Sequence, residues 1–237
     1  RLYPNVNDLE AVAARRRSFE SRLVRLAGGK IFADGTLNSR TALMMHRYCE
    51  PIVDLPRGKA MMPPADIDRH LRRADELGLP VAVHAIGDGA VRMVLDCFER
   101  VRPRTPGGRI EHCELIDRAD VGRFVKLGVS CSVQPCHLLA DVEALLRFVS
   151  HRLDRVLPLR ELLASGLRPG ELADDDGGGP GLVFGSDAPI VRADLADSIQ
   201  AAVHRRRPGA APQDAIAPEQ AITEDEAWAC FGGRTTG

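Results

Sequence analysis

Short apolar segments alternate with amphipathic segments along most of the chain, and this alternation limits its possible folds more than any other feature. The apolar segments are too uniformly hydrophobic to keep one face in water, which is typical of parallel strands covered by helices. The pattern predicts an α/β fold, either a (β/α) barrel or a doubly wound sheet. The expected strands lie at residues 22–26, 81–84, 109–112, 129–134 and 181–187.

The segments between these strands have the spacing of amphipathic helices or the composition of loops. Residues 36–64 show no sustained period, and 174–180 are rich in Asp and Gly, so we expect loops in both places. We expect substrate specificity to lie in the stretches 36–64 and 136–180. The expected helices lie at residues 8–20, 66–77, 90–101, 118–127, 141–153, 157–165 and 195–206.

Composition excludes several classes of protein. With 44% hydrophobic and 27% charged residues, the 237-residue chain is neither disordered nor collagen-like. A formal net charge of -1 gives no electrostatic reason to expect nucleic acid or an anionic membrane as partner, and oligomerisation stays open. No apolar run reaches the roughly 18–20 residues of a membrane span. The 6 cysteines form no Cys-x-x-Cys pair, so we expect reduced core thiols and a cytoplasmic location.

Polar side chains with acid–base or metal-binding chemistry fall at the ends of the expected strands. In a (β/α) barrel the carboxyl ends of the strands carry the functional residues. His84 and His112 are also separated by about the length of one strand–helix unit. The sequence therefore predicts one pocket formed by successive strands. The residues at these ends are Lys30, His84, His112, Gln134 and Asp187.

Two imidazoles and a carboxylate are ligands that suit Zn, Mn or Fe. A bound divalent metal would activate water, and Asp187 could accept the proton of that water. Lys30 suits such a site only as a neutral amine or as a carbamate formed with CO2. Each residue alone also has a structural interpretation: a hydrogen-bonded histidine, an ion-paired lysine, or an aspartate that caps the next helix. Their joint placement at strand ends favours the functional interpretation.

Five short motifs then follow one another in a recognisable order. They are KIFADGT from Lys30, HAIGD from His84, IEH from Ile110, SVQP from Ser132 and GSDAP from Gly185. Over about residues 20–230 the chain resembles the YtcJ-like group of the amidohydrolase superfamily (amidohydrolase family 3). The resemblance implies a metal-dependent hydrolase on a distorted (β/α)8 barrel, with a small β-domain formed by both chain ends.

The resemblance also implies roles for individual residues. Lys30 corresponds to a carboxylated lysine that bridges two metals, and His84 and His112 to ligands of the more exposed metal. Asp187 corresponds to the aspartate that binds the buried metal and transfers the proton. The implied cofactor is a divalent metal, zinc by preference, as one or two ions.

The same resemblance implies an amide-type small-molecule substrate. Family members of known activity cleave C–N bonds outside peptides, including those of N-substituted formamides. By motif, Asp34, Gln134 and His137 are expected to line the substrate pocket.

One departure from the family pattern is large, because the first-strand His-x-His motif does not occur in this sequence. We therefore expect residues 1–237 to form a partial catalytic barrel, about strands three to eight, truncated at both ends and without the small β-domain. Residues 1–6 would be the tail of the third strand. Two alternatives stay open: a non-catalytic barrel remnant that binds a small ligand or a partner, and a phosphoester or lactone hydrolase.

Overall fold

A computed structural model of the chain describes residues 1–170, 178–192 and 194–232. Its strands form one sheet in the order β1-β2-β3-β4-β6-β5, and every neighbouring pair is parallel. The α/β fold expected from the sequence is thus confirmed, and six parallel strands are consistent with an incomplete barrel. The strands are Gly29–Phe32 (β1), Val81–Ala85 (β2), Arg109–His112 (β3), Ser130–Val133 (β4), Arg168–Pro169 (β5) and Gly181–Phe184 (β6).

Helices fill most of the connections between strands. Short 3-10 helices also occur at Arg16–Ser18, Ser150–Arg155, Pro212–Asp214 and Pro218–Gln220. Among the described residues, no helix is long and apolar enough to cross a membrane. The α-helices are Leu9–Ala14 (α1), Pro64–Glu76 (α2), Asp88–Val101 (α3), Arg118–Val121 (α4), Arg123–Leu127 (α5), Cys136–Ala140 (α6), Val142–Phe148 (α7), Leu159–Ala164 (α8), Leu195–His204 (α9) and Glu224–Cys230 (α10).

The two faces of the sheet differ in polarity. Ile31, Val83 and Ile110 are fully buried and belong to one hydrophobic core with residues of α2 and α3. Side chains alternate along each strand, so Lys30 and Glu111 lie on the other face, where they are only partly buried. This second, polar face is the one on which the candidate site lies.

The strand expected at residues 22–26 is wrong. The backbone N–H of Ser21 donates to the carbonyl of Val24, which makes a turn there, and Leu23 is 88% exposed. A strand at this position would have left its apolar side chains uncovered. Only an isolated parallel bridge joins Leu26 to Leu2, and a second joins Lys30 to Asn5. Residues 2–5 thus run beside β1, and their assignment as the tail of a third barrel strand stays a prediction.

Several expected helices are shorter or interrupted. The helix predicted at 8–20 ends at Ala14 and continues only as a 3-10 turn, and the helix predicted at 118–127 is divided at Gly122. The stretch 141–153 is α-helical only as far as Phe148. Residues 174–177 of the expected acidic loop lie outside the described residues. Cys97, Cys113 and Cys131 are buried, as their apolar surroundings predict.

Helix α10 begins with a reciprocal cap that also involves an ion pair. The Thr223 hydroxyl accepts the N–H of Glu226, and the Glu226 carboxylate accepts the N–H of Thr223. Two nitrogens of Arg160 donate to the same carboxylate, at 2.8 and 2.7 Å. These hydrogen bonds, those of Arg160 first, lower the pKa of Glu226 to about 2.

We expect Glu226→Gln to lower the free energy of unfolding by about 1 kcal/mol at neutral pH, since the pair is partly exposed. A carboxyl whose folded pKa is depressed stabilises the fold above its unfolded pKa of about 4.3, and this contribution is lost as pH falls towards about 2. The difference between wild type and variant, measured by urea unfolding, should narrow between about pH 5 and pH 3. A difference independent of pH would contradict this account.

Candidate functional site

A cavity of about 680 Å³ lies beside the carboxyl ends of the first three strands, on the polar face of the sheet. Asp34 does not line this cavity but contacts His84. Gln134 lines an adjoining space of about 300 Å³ and contacts His112. Five of the residues predicted from the sequence line the larger cavity together: Lys30, His84, His112, His137 and Asp187.

His84 is held by one of its ring nitrogens. Nε2 lies 3.0 Å from the carbonyl oxygen of Gly35 and 3.5 Å from a carboxylate oxygen of Asp34. Because a carbonyl oxygen can only accept, Nε2 carries the proton and Nδ1 keeps its lone pair. Burial lowers the pKa of His84, which favours this neutral ring.

His112 is held by the opposite nitrogen. Its Nδ1 lies 2.7 Å from Oε1 of Gln134, an acceptor, so Nε2 is the nitrogen with the free lone pair. Burial, followed by the charges of His84 and Lys30, lowers the pKa of His112 to about 3. The ring centroids of His84 and His112 are 4.5 Å apart. Two neutral imidazoles, each oriented by an acceptor, therefore lie side by side.

Backbone conformation explains how these side chains meet. Strict alternation would place His112 on the face opposite its neighbour Glu111. His112 has φ 72° and Cys113 has φ 46°, so the strand leaves extended geometry at this point and the ring packs against His84. Asp187 also has a left-handed φ, 56°. Non-glycine residues in this region are uncommon and tend to occur at functional sites.

Lys30 does not lie at a strand end, contrary to the sequence-based expectation. It is the second residue of β1 and pairs with Ala82, two residues before His84. Its ammonium lies 5.4 Å from the ring of Phe32 and enters the cavity from the sheet surface. Burial lowers the pKa of Lys30, and the charge of Glu111 partly opposes this.

Asp34 has a structural task that its motif did not predict. Its two carboxylate oxygens accept the backbone N–H groups of Leu43, Ile86 and Gly87, at 2.9 to 3.0 Å. Burial raises the pKa of Asp34 to about 7 although the three N–H groups lower it. Asp34 thus joins β1, the following loop and the β2–α3 turn. A contact between Asp34 and substrate stays a prediction.

Gly87 allows the loop to approach this turn. A Cβ at Gly87 would lie 2.1 Å from the carbonyl oxygen of Leu43, which is far too close. The same carbonyl accepts the N–H of Ala90, and Asp88 accepts the N–H of Met45. Gly87 and Asp88 therefore allow the backbone of the loop to pack closely against this turn.

Glu114, Asp141 and Asn38 also line the cavity and were missed by the sequence analysis. Glu114 is almost fully buried, and burial, together with the charges of Asp141 and Asp34, raises the pKa of its carboxyl to about 8. Asp141 accepts a hydrogen bond from the side-chain amide of Asn38. The position of Glu114 two residues after His112 was the available signal, because the loop after a strand faces the same pocket.

The donor chemistry of the cavity fits a divalent metal only in part. His84 and His112 offer the nitrogen ligands that zinc prefers, and their ring centroids are 4.5 Å apart. Within residues 1–170, 178–192 and 194–232, however, no three His, Cys, Asp or Glu side chains are close enough to hold one ion. Lys30 and Asp187 line the same cavity and are the candidates for a further ligand.

Comparison with known proteins gives a consistent result. A model of the amidohydrolase family matches residues 5–237. The chain is 34% identical to Protein LONG AFTER FAR-RED 3 of Arabidopsis thaliana over 82% of its length, and 31% identical to YtcJ of Bacillus subtilis over 77%. It is 26% identical over 88% of its length to N-substituted formamide deformylase of Arthrobacter pascens.

A solved structure has the same fold. An uncharacterized metal-dependent hydrolase from Pyrococcus horikoshii superimposes with a TM-score of 0.79 at 28% identity, over 97% of this chain and 44% of that chain. The match to this chain covers only 32%, 32% and 36% of the lengths of the three curated relatives. The chain thus spans about a third of the length of these relatives.

Proposed function

This chain belongs to the amidohydrolase family, and from that premise we propose that it acts as a metal-dependent hydrolase on an amide-type C–N bond outside a peptide. The observation that carries the proposal is the pair of neutral histidines with free lone pairs, whose ring centroids are 4.5 Å apart in a cavity. The relative from Arthrobacter pascens, whose name specifies an N-substituted formamide, supports the class of bond.

In this proposal His84 Nδ1 and His112 Nε2 would hold the metal. The acceptors on their other nitrogens fix each ring in the tautomer that can bind. A bound divalent cation supplies Lewis acidity, which polarises the substrate carbonyl and makes water a stronger nucleophile at neutral pH. The lowered pKa of Lys30 favours a neutral amine, which could add to CO2 and lose a proton to become a carbamate ligand.

Asp187 performs the proton transfer in the proposed reaction. The carboxylate lies in the cavity with both histidines and is open to solvent. As the oxygen of water adds to the carbonyl carbon, its proton passes to Asp187. The C–N bond then breaks, and the proton passes from Asp187 to the departing nitrogen. The products are a carboxylic acid and an amine.

Metal content tests the proposal directly. Purified without chelators and supplied with Zn or Mn, the wild type is expected to hold about one metal per chain, and the double variant His84→Ala/His112→Ala about none. His204→Ala is the matched control, since His204 is exposed and does not line the cavity, and it should retain the metal. Elemental analysis provides the measurement.

A folded wild type that takes up no metal would overturn the proposal and favour the non-catalytic barrel remnant. Hydrolysis of formamides, N-acyl amino acids and lactams should accompany metal binding. Hydrolysis restricted to phosphoesters or lactones would keep the metal site but reject the C–N bond.

A further inference from the structure

Glu114 holds a carboxylate oxygen that has no partner. The side chain follows β3, is 4% exposed and lines the cavity. Its Oε1 is buried, and no group in the described part of the chain donates a hydrogen bond to it. Leaving a buried acceptor unpaired is costly, so most such groups in proteins have a partner. A ligand in the cavity can provide the missing donor.

The charges around Glu114 favour a cation as that ligand. Three residues lining the cavity bear carboxyl groups, Glu114, Asp141 and Asp187, whereas Lys30 is the one lining Lys or Arg among the described residues. Lys30 belongs to β1 and lies beside Phe32, and Asp141 immediately precedes α7. A concave site lined mainly by one sign of charge attracts the opposite sign.

Part of the wall is apolar. Phe32, Leu37, Ile86, Ile190 and Val191 line the same cavity. Ligand sites commonly combine such a wall with a few polar groups that fix the orientation of the ligand. An alkyl or aryl chain can therefore lie against this wall.

We propose that the substrate of this site carries a primary ammonium group in addition to its scissile amide, and that Glu114 Oε1 accepts a hydrogen bond from that ammonium. Asp141 adds a second negative charge from a different element. An ammonium is compact and has three donors, so it can serve two carboxylates that do not share a plane. The inference rests on the proposed hydrolase function, which supplies the amide.

Equilibrium binding without turnover tests this inference. Isothermal titration calorimetry on the metal-free chain would compare ω-aminoalkyl formamides, over a series of chain lengths, with the uncharged N-alkylformamides of equal length. At least one amine is expected to bind about tenfold more tightly than its uncharged counterpart. In Glu114→Gln, which keeps the shape of the side chain, this preference should disappear while binding of the uncharged compound stays the same.

Two further variants complete the test. Asp141→Asn should reduce the preference by less than Glu114→Gln does, because the hydrogen bond to Glu114 remains. Asp54→Asn removes an exposed carboxylate outside the cavity and should leave the preference intact. Equal binding of charged and uncharged compounds, no measurable binding of any amine, or a preference that survives in Glu114→Gln would each overturn the inference.

The outcome is separable from that of the proposed function. Metal content and the hydrolysis of uncharged formamides do not depend on an ammonium. A chain that binds metal but shows no preference for amines would reject the inference alone. A preference for amines in a chain that takes up no metal when Zn or Mn is supplied would reject the hydrolase proposal and keep Glu114 as a ligand-binding residue.

Discussion

Asp34→Ala is expected to lower the free energy of unfolding by about 3–5 kcal/mol. The variant leaves the N–H groups of Leu43, Ile86 and Gly87 without their acceptor in a buried region. Each hydrogen bond to a charged group is worth about 1.5–3 kcal/mol. The expected loss is smaller than the sum of the three hydrogen bonds, because the wild type also bears the cost of burying the Asp34 carboxylate. This cost is reflected in the pKa of Asp34, which burial raises to about 7.

Urea unfolding gives the measurement, with Asp54→Ala as the control. Asp54 is exposed, so its loss should change the free energy of unfolding by no more than about 0.5 kcal/mol. Asp34→Asn should fall between the two, since an amide keeps one acceptor oxygen. A loss below about 1 kcal/mol in Asp34→Ala would show that the loop and the turn hold together without this carboxylate.

The family and the parallel α/β fold could be predicted from the sequence because both depend on local patterns. Each motif, such as those beginning at Lys30 and His84, is a run of adjacent residues that can be read directly from the sequence. The family match confirms the resemblance based on these motifs. The predicted bounds of three strands agree with the observed bounds to within one residue at each end, because buried parallel strands are short and uniformly apolar. These strands were predicted at residues 81–84, 109–112 and 129–134. The prediction of a strand at 22–26 is wrong, because no other element in the described part of the chain covers the side chain of Leu23, which is exposed to solvent.

The geometry of the site was less accessible to sequence reasoning. Periodicity assumes extended strands, so it could not show that a left-handed φ at His112 turns the ring towards His84. Motif order gave no distinction between Asp34, which accepts backbone N–H groups and does not line the cavity, and the residues that line it. Glu114 was missed because an unpaired oxygen is a property of its three-dimensional surroundings.

Asp187→Asn is expected to lower the rate of amide hydrolysis about a hundredfold to ten-thousandfold, the usual contribution of a general acid–base. An amide of the same shape cannot take up the proton of the attacking water. Asp187 has φ 56°, and Asn tolerates this left-handed conformation as well as Asp does. The substitution therefore tests the carboxylate rather than the backbone.

The measurement is steady-state hydrolysis of an N-substituted formamide, with metal content determined on the same samples. Metal should remain in Asp187→Asn, because His84 and His112 keep their free nitrogens. Asp54→Asn, outside the cavity, should retain the wild-type rate. If Asp187→Asn hydrolyses the formamide at the wild-type rate, Asp187 does not transfer the proton. Loss of both metal and turnover would instead make the Asp187 carboxylate a metal ligand. If Asp187 only transferred the proton, the substitution would leave the metal bound.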